Sequence, residues 1–129
     1  MTDTILLVED SPFYGELLTA FLSRETSYHL WWVQTGHAAL QVAEKIVPVL
    51  FLLDYRLPDI DGLTLSDRLH AIAGRETIPT LMLSSDLPDA ELEARLATHN
   101  IVGLGKQSPL STIRATLERL VADAQHHKQ

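Results

Sequence analysis

Residues 50–53 are four consecutive apolar side chains (Leu-Phe-Leu-Leu) that run directly into a carboxylate, Asp54, and then into turn-forming Pro58, Asp59, Asp61 and Gly62. An unbroken apolar run this short has no polar face to offer water. It suits a strand covered on both sides, as in the interior of a parallel sheet. Asp54 then falls where the strand leaves the core, at the carboxyl edge where open α/β sheets bind their ligands. The rest of the chain has to supply neighbouring strands and two covering layers.

It does so in a regular alternation. Residues 5–8 form a short apolar strand that ends at Glu9 and Asp10; Ser11 then offers a helix N-cap and Pro12 a first helical position. Phe13, Leu17, Leu18, Phe21 and Leu22 repeat at helical spacing, which predicts a helix to about Glu25. Residues 28–33 are β-rich and give a second strand, Thr35-Gly36 a turn, and residues 38–46 a second helix that Pro48 terminates. After the strand ending at Asp54, Leu63, Leu65, Leu69 and Ile72 predict a third helix with Gly74 placed to stop it. A fourth strand over 78–83 ends at Ser84-Ser85, and a fourth helix starts near Pro88 with Leu92 and Leu96 turned inward. Residues 100–104 make a weaker fifth strand before Gly105 and Lys106. Ser108 caps and Pro109 opens a last helix whose inner face is Leu110, Ile113, Leu117, Leu120 and Val121. Five strands alternating with five helices imply a parallel sheet covered on both sides, with right-handed crossovers.

The whole-chain totals bound the function. At 129 residues there is room for one substantial core, expected over 1–125 with a polar tail over 126–129. The net charge of -7 argues against nucleic acid or an anionic membrane as the main partner. With no cysteine, disulfides, thiol catalysis and cysteine zinc sites are excluded. The start Met-Thr-Asp has no basic n-region, and no apolar run approaches the ~20 residues of a membrane span, so a cytoplasmic protein is expected.

In a parallel sheet every strand's carboxyl end lies on one edge, which brings Glu9, Asp10, Asp54, Ser84 and Lys106 together. Three crowded carboxylates repel one another and resist ionisation unless a cation relieves them. A hard divalent ion with oxygen ligands, Mg²⁺ first, fits that need. A cation beside Asp54 suits phosphoryl transfer, with Asp54 as nucleophile and Ser84 and Lys106 holding the phosphoryl oxygens.

At those residues the chain resembles the receiver domain of bacterial two-component response regulators. Leu-Leu-Val-Glu-Asp-Ser (6–11) is similar to the family's acidic-pair motif, and residues 53–62 to its phosphoacceptor motif, with Pro58 and Gly62 in register. Met-Leu-Ser-Ser (82–85) is similar to its strand-four hydroxyl motif, and Lys106 to its strand-five lysine. The resemblance implies a flavodoxin-like, doubly wound (βα)5 sandwich with strand order 2-1-3-4-5. It implies Mg²⁺ held by Glu9, Asp10, Asp54 and the backbone carbonyl of Arg56. It implies that Asp54 accepts a phosphoryl group from a histidine kinase or histidine phosphotransfer protein, with self-phosphorylation and autodephosphorylation but no separate enzymatic activity. It implies a downstream protein bound through the face of the fourth helix, fifth strand and fifth helix, with a homodimer as a further candidate partner. Arg56 and Asp86 stand where the family tunes water attack on the acyl phosphate, and their opposite charges are expected to pair across the pocket mouth.

The chain departs from the pattern in three places. The family's strand-five aromatic, three residues before the lysine, is replaced by Gly103, and no Phe, Tyr or Trp follows Tyr55. Gln107 stands where proline is usual, so a trans bond is expected, since a cis bond there costs roughly 2.5–4 kcal/mol. Ser85 replaces a small apolar residue. These changes make a phosphorylation-independent pseudo-receiver, acting as an interaction module, the alternative function. An aspartate-nucleophile phosphatase is disfavoured because Arg56 stands where a second acid is wanted. Neither Gly103-Leu-Gly-Lys106 nor Asp59-Ile-Asp-Gly62 completes a phosphate or calcium loop. The six histidines (29, 37, 70, 99, 126, 127) show no ligand spacing. Alternation along a strand should send one of Trp31 and Trp32 to the core and the other to the surface.

Overall fold

The computed structural model describes residues 3–127. Strands and helices alternate as β1 (Thr4–Val8), α1 (Pro12–Glu25), β2 (His29–Val33), α2 (Gly36–Ala43), β3 (Leu50–Asp54), α3 (Gly62–His70), β4 (Thr80–Ser84), α4 (Ala90–Thr98), β5 (Val102–Gly105) and α5 (Leu110–His127). Every strand pairing is parallel and the order is β2-β1-β3-β4-β5, as expected. The register sets Val8 beside Leu53, Asp54 beside Leu83 and Ser84 beside Gly105, so the strand ends form one row.

Period-two alternation divides the sheet between two layers. Leu6, Val8, Phe51, Leu53 and Met82 face α2, α3 and α4, against Ala39, Leu65, Leu69, Leu92 and Leu96. Ile5, Leu7, Leu50, Leu52, Leu81 and Leu83 face α1 and α5, against Leu18, Leu22, Ile113 and Leu117. All five residues of β3 are buried, as are all five of β4. Each such Leu contributes about 1.5–3 kcal/mol of transfer free energy. No described helix is long and apolar enough to cross a membrane.

Helix ends differ from the sequence expectation for local reasons. In α1 the inner stripe is Gly15, Leu18 and Leu22, while Phe13 (77% exposed) and Leu17 (39%) face outward. The stripe turns because Trp32 lies where a side chain at 15 would stand: a Cβ there would meet its ring carbon at 2.1 Å. Trp31 is exposed and Trp32 half-buried, so the pair divides as alternation requires. Helix α2 starts at Gly36, not 38, because Thr35 Oγ1 accepts from Ala38 N, and it ends at Ala43. Helix α3 stops at His70, short of Gly74, which sits in a following turn at φ +86. Helix α4 waits until Ala90, since Asp89 is its cap, accepting from Leu92 N at 2.9 Å. Asn100 takes a left-handed φ of 57 at the end of α4, which delays β5 to Val102. Helix α5 begins at Leu110, one residue past Pro109, and runs to His127, beyond the tail boundary expected at 125. Residues 128 and 129 of that tail lie outside the described residues.

Candidate site at the carboxyl edge of the sheet

The strand ends converge as the alternation requires. Glu9 follows β1 and is 1% exposed; its N–H donates to Val33 O (3.0 Å), and its carbonyl accepts the indole N–H of Trp32 (2.9 Å). These bonds fix the backbone at which the carboxylate leaves. One carboxylate oxygen, Oε2, accepts from Ser11 N at 3.0 Å, and the same serine's Oγ caps α1 by accepting from Tyr14 N. The other, Oε1, is buried, lies 2.8 Å from Lys106 Nζ, and accepts no well-formed hydrogen bond.

Asp54 closes β3 and is 4% exposed. Its Oδ1 accepts from Arg56 N at 3.1 Å and its Oδ2 from Lys106 Nζ at 3.0 Å. Gly62 permits the close approach of α3 behind it: a Cβ there would stand 2.8 Å from the Asp54 carbonyl oxygen. Asp10 is exposed, yet one carboxylate oxygen from each of Glu9, Asp10 and Asp54 lies within 4.8 Å of the others.

Lys106 is held along its length. Its N–H donates to Ser84 O (3.0 Å), its carbonyl accepts from the Tyr14 hydroxyl (3.3 Å), and its ammonium stands 5.0 Å from the centre of the Tyr14 ring. Burial alone would lower the lysine's pKa, but Glu9 and Asp54 outweigh it and raise it above the ordinary value. Burial, reinforced by the charge of Glu9, pushes Asp54 up to about 7 despite the hydrogen bonds from Lys106 and Arg56 N. A buried carboxylate that shares one cation with a second acid is under-neutralised.

Ser84 ends β4 fully buried, and its Oγ accepts from Asp86 N at 3.0 Å. The guanidinium of Arg56 donates to the carboxylate of Asp86, so the two pair across the mouth as expected. Glu9, Asp10 and Asp54 thus come together, Lys106 pairs with two of them, and Ser84 joins through its carbonyl, which accepts from Lys106 N. Three contributors were missed. Trp32 and Tyr14 brace the site through backbone carbonyls. Asp59 accepts from Gly36 N (3.0 Å) and His37 N (2.8 Å) and ties the loop after β3 to α2. Those two N–H bonds outweigh its slight burial and hold its carboxyl below the ordinary range. Only Tyr14 had a local signal, three residues after a capping serine.

The family model of the response regulator receiver domain matches residues 5–118. This chain belongs to that family. The receiver is 34% identical over 90 residues to the transcriptional regulatory protein BaeR of Escherichia coli O6:H1, a stretch covering 70% of this chain and 36% of BaeR. It is 26% identical over 82 residues to the signal transduction histidine-protein kinase BarA of Escherichia coli K12, covering 64% of this chain and 9% of BarA. The receiver therefore spans only part of the curated relatives it matches. Among solved structures, a CheY-like receiver domain protein from Methanospirillum hungatei superposes with a TM-score of 0.88 at 18% identity, covering 98% of this chain and 99% of that one. The receiver domain of sensor histidine kinase PA1611 from Pseudomonas aeruginosa, whose structure has a magnesium ion in its active site cleft, superposes at 0.83 with 26% identity, covering 95% of this chain and 99% of that one.

The space over the glycine-bearing fifth strand is filled from the loop after β4 and from α4. A Cβ on Gly103 would meet Leu96 at 2.5 Å and Leu87 at 2.9 Å, and one on Gly105 would meet the Leu87 carbonyl oxygen at 2.6 Å. Strand β5 is bare on its α4 side, and the loop after Ser84 lies directly on it with Leu87 buried. The Gln107 amide donates to Leu87 O at 2.8 Å. The bond before Gln107 is trans, as expected; among the described residues the cis bond is Leu87–Pro88.

Proposed function

We propose that this receiver accepts a phosphoryl group on Asp54 from a phosphohistidine of a histidine kinase or histidine phosphotransfer protein, in the cytoplasm, and that the modified form changes its affinity for a downstream protein. The observation that carries this reading is the convergence of the Glu9 and Asp54 carboxylates on the Lys106 ammonium, 2.8 Å and 3.0 Å away, at the carboxyl edge of the sheet.

The donor set fits a magnesium ion. Its atoms are hard oxygens grouped within 4.8 Å, and a buried Glu9 oxygen lacks a well-formed hydrogen bond. Glu9, Asp10, Asp54 and the backbone carbonyl of Arg56 would hold it. Bound there, the ion supplies neutralisation of the carboxylates and of the phosphoryl oxygens. In the transfer, Asp54 attacks phosphorus, the P–N bond to the donor imidazole breaks, and the imidazole nitrogen takes a proton. Lys106 and the Ser84 hydroxyl bind the equatorial oxygens. In autodephosphorylation, water displaces Asp54 and releases inorganic phosphate. The face formed by α4, β5 and α5 carries the changed affinity, because Leu87 and Gln107 join the loop after Ser84 to it.

Intact mass after incubation with acetyl phosphate tests the reading. One phosphoryl adduct is expected with Mg²⁺, and none without the ion or in Asp54→Asn. An adduct that survives in Asp54→Asn, or no adduct in wild type at short times, overturns it.

A further inference from the structure

We propose that Tyr14 is a positioning residue for Lys106, holding its ammonium beside Asp54; the inference rests on the role given above to Lys106. An ammonium has three donors. Asp54 Oδ2 accepts one at 3.0 Å, and Glu9 Oε1 is ion-paired with the same nitrogen at 2.8 Å without a well-formed hydrogen bond. The Tyr14 ring lies 5.0 Å from the same nitrogen, within the range at which an aromatic face attracts a cation. The tyrosine hydroxyl also donates to the lysine's own carbonyl at 3.3 Å. One side chain therefore grips both the root and the tip of Lys106.

The grip adds to the hydrogen bond from Lys106 N to Ser84 O and to the ion pairs with Glu9 and Asp54. The strand before this lysine carries two glycines, Gly103 and Gly105, and the residue after it is an exposed glutamine. Tyr14 is itself well anchored, since its N–H donates to Ser11 Oγ and Ser11 N donates to Glu9 Oε2. The contacts close a ring from Glu9 through Ser11, Tyr14 and Lys106 back to Glu9. When Lys106 turns from the carboxylates to a phosphoryl oxygen, the aromatic face lets it move without losing its third partner. Tyr14 touches no reacting atom in this scheme and acts through the lysine.

Two measurements decide it. The chain has three lysines, at 45, 106 and 128, so the ε-methylene resonances are readily assigned by NMR. The Lys106 resonance should be displaced by the ring current in wild type and in Tyr14→Phe, and should return to the position of an exposed lysine in Tyr14→Leu. In the second, the rate of adduct formation with acetyl phosphate should fall roughly fivefold to tenfold in Tyr14→Leu. It should be nearly retained in Tyr14→Phe, and Tyr14→Leu should add nothing in a Lys106→Ala background. A Lys106 resonance indifferent to Tyr14→Leu, or a loss that persists undiminished without Lys106, overturns the proposal. Absence of any adduct in wild type counts against the phosphoacceptor role alone, because the resonance still reports whether the ring holds the lysine.

Discussion

The indole N–H of Trp32 donates to the main-chain carbonyl of Glu9 at 2.9 Å, so a tryptophan on an edge strand is bonded to the backbone of a candidate metal ligand. Ordering the Glu9 carboxylate around a cation alters the field at that indole. Emission should therefore change saturably with Mg²⁺ in wild type and in Trp31→Phe, and stay constant in Trp32→Phe. A response that follows Trp31, which is exposed, would sever the connection.

Burial and Glu9 lift the Asp54 carboxyl to about 7, against roughly 3.9 in an unfolded chain. Between those values the folded state holds a proton that the unfolded state has released, so metal-free stability declines as pH rises from about 4 to 7. The slope is bounded by about 1.4 kcal/mol per pH unit, and solvent at the pocket mouth reduces it. Thermal melts in chelator should show the decline in wild type and not in Asp54→Asn. Mg²⁺ requires the ionised carboxylate, so its affinity should increase up to about pH 7 and then level. Affinity that is flat over this range, by calorimetry, would contradict the assignment.

Arg56 and Asp86 pair beside the site although the Arg56 side chain is largely solvent-exposed and that of Asp86 partly so. Opening the pair should admit water to an acyl phosphate on Asp54. Exposed pairs hold little free energy, so autodephosphorylation should quicken by no more than about fivefold in Arg56→Ala. Asp86→Ala should behave alike and the double variant no differently from either, as followed by decay of the adduct mass. Unchanged decay would deny the pair a shielding role.

Leu87 is buried over the bare surface of β5. Truncation to alanine should cost about 2–4 kcal/mol in urea unfolding, as expected for a large core side chain whose site cannot collapse. Gly103→Ala should also destabilise, because its Cβ would meet Leu96 at 2.5 Å. Combining Gly103→Ala with Leu87→Ala should recover part of the loss at this position. Strict additivity would show that the two do not share one space.

Much of this molecule is legible along the chain. The apolar runs at 5–8 and 50–53 are strands because nothing in them can face water, and a carboxylate follows each for the same reason. Parallel alternation then obliges Glu9, Asp10, Asp54, Ser84 and Lys106 to share an edge. The composition of the site follows from those local facts, whereas the strand order was legible only through the motifs shared with the receiver family.

What sequence spacing could not decide was which long-range neighbour fills a given space. Phe13 and Leu17 fit a helical stripe yet point outward, since Trp32 occupies the room beside Gly15. Gly103 reads as a missing side chain, but the fold supplies Leu87 and Leu96 from the opposing layer. Tyr14 is 92 residues from Lys106, and Asp59 is 23 from the helix start it caps. Periodicity and capping are set by residues a few positions apart, so one strand of text contains them. Packing over a glycine, or an aromatic face under an ammonium, is set by how two layers close on a sheet, and only the folded chain brings those residues together.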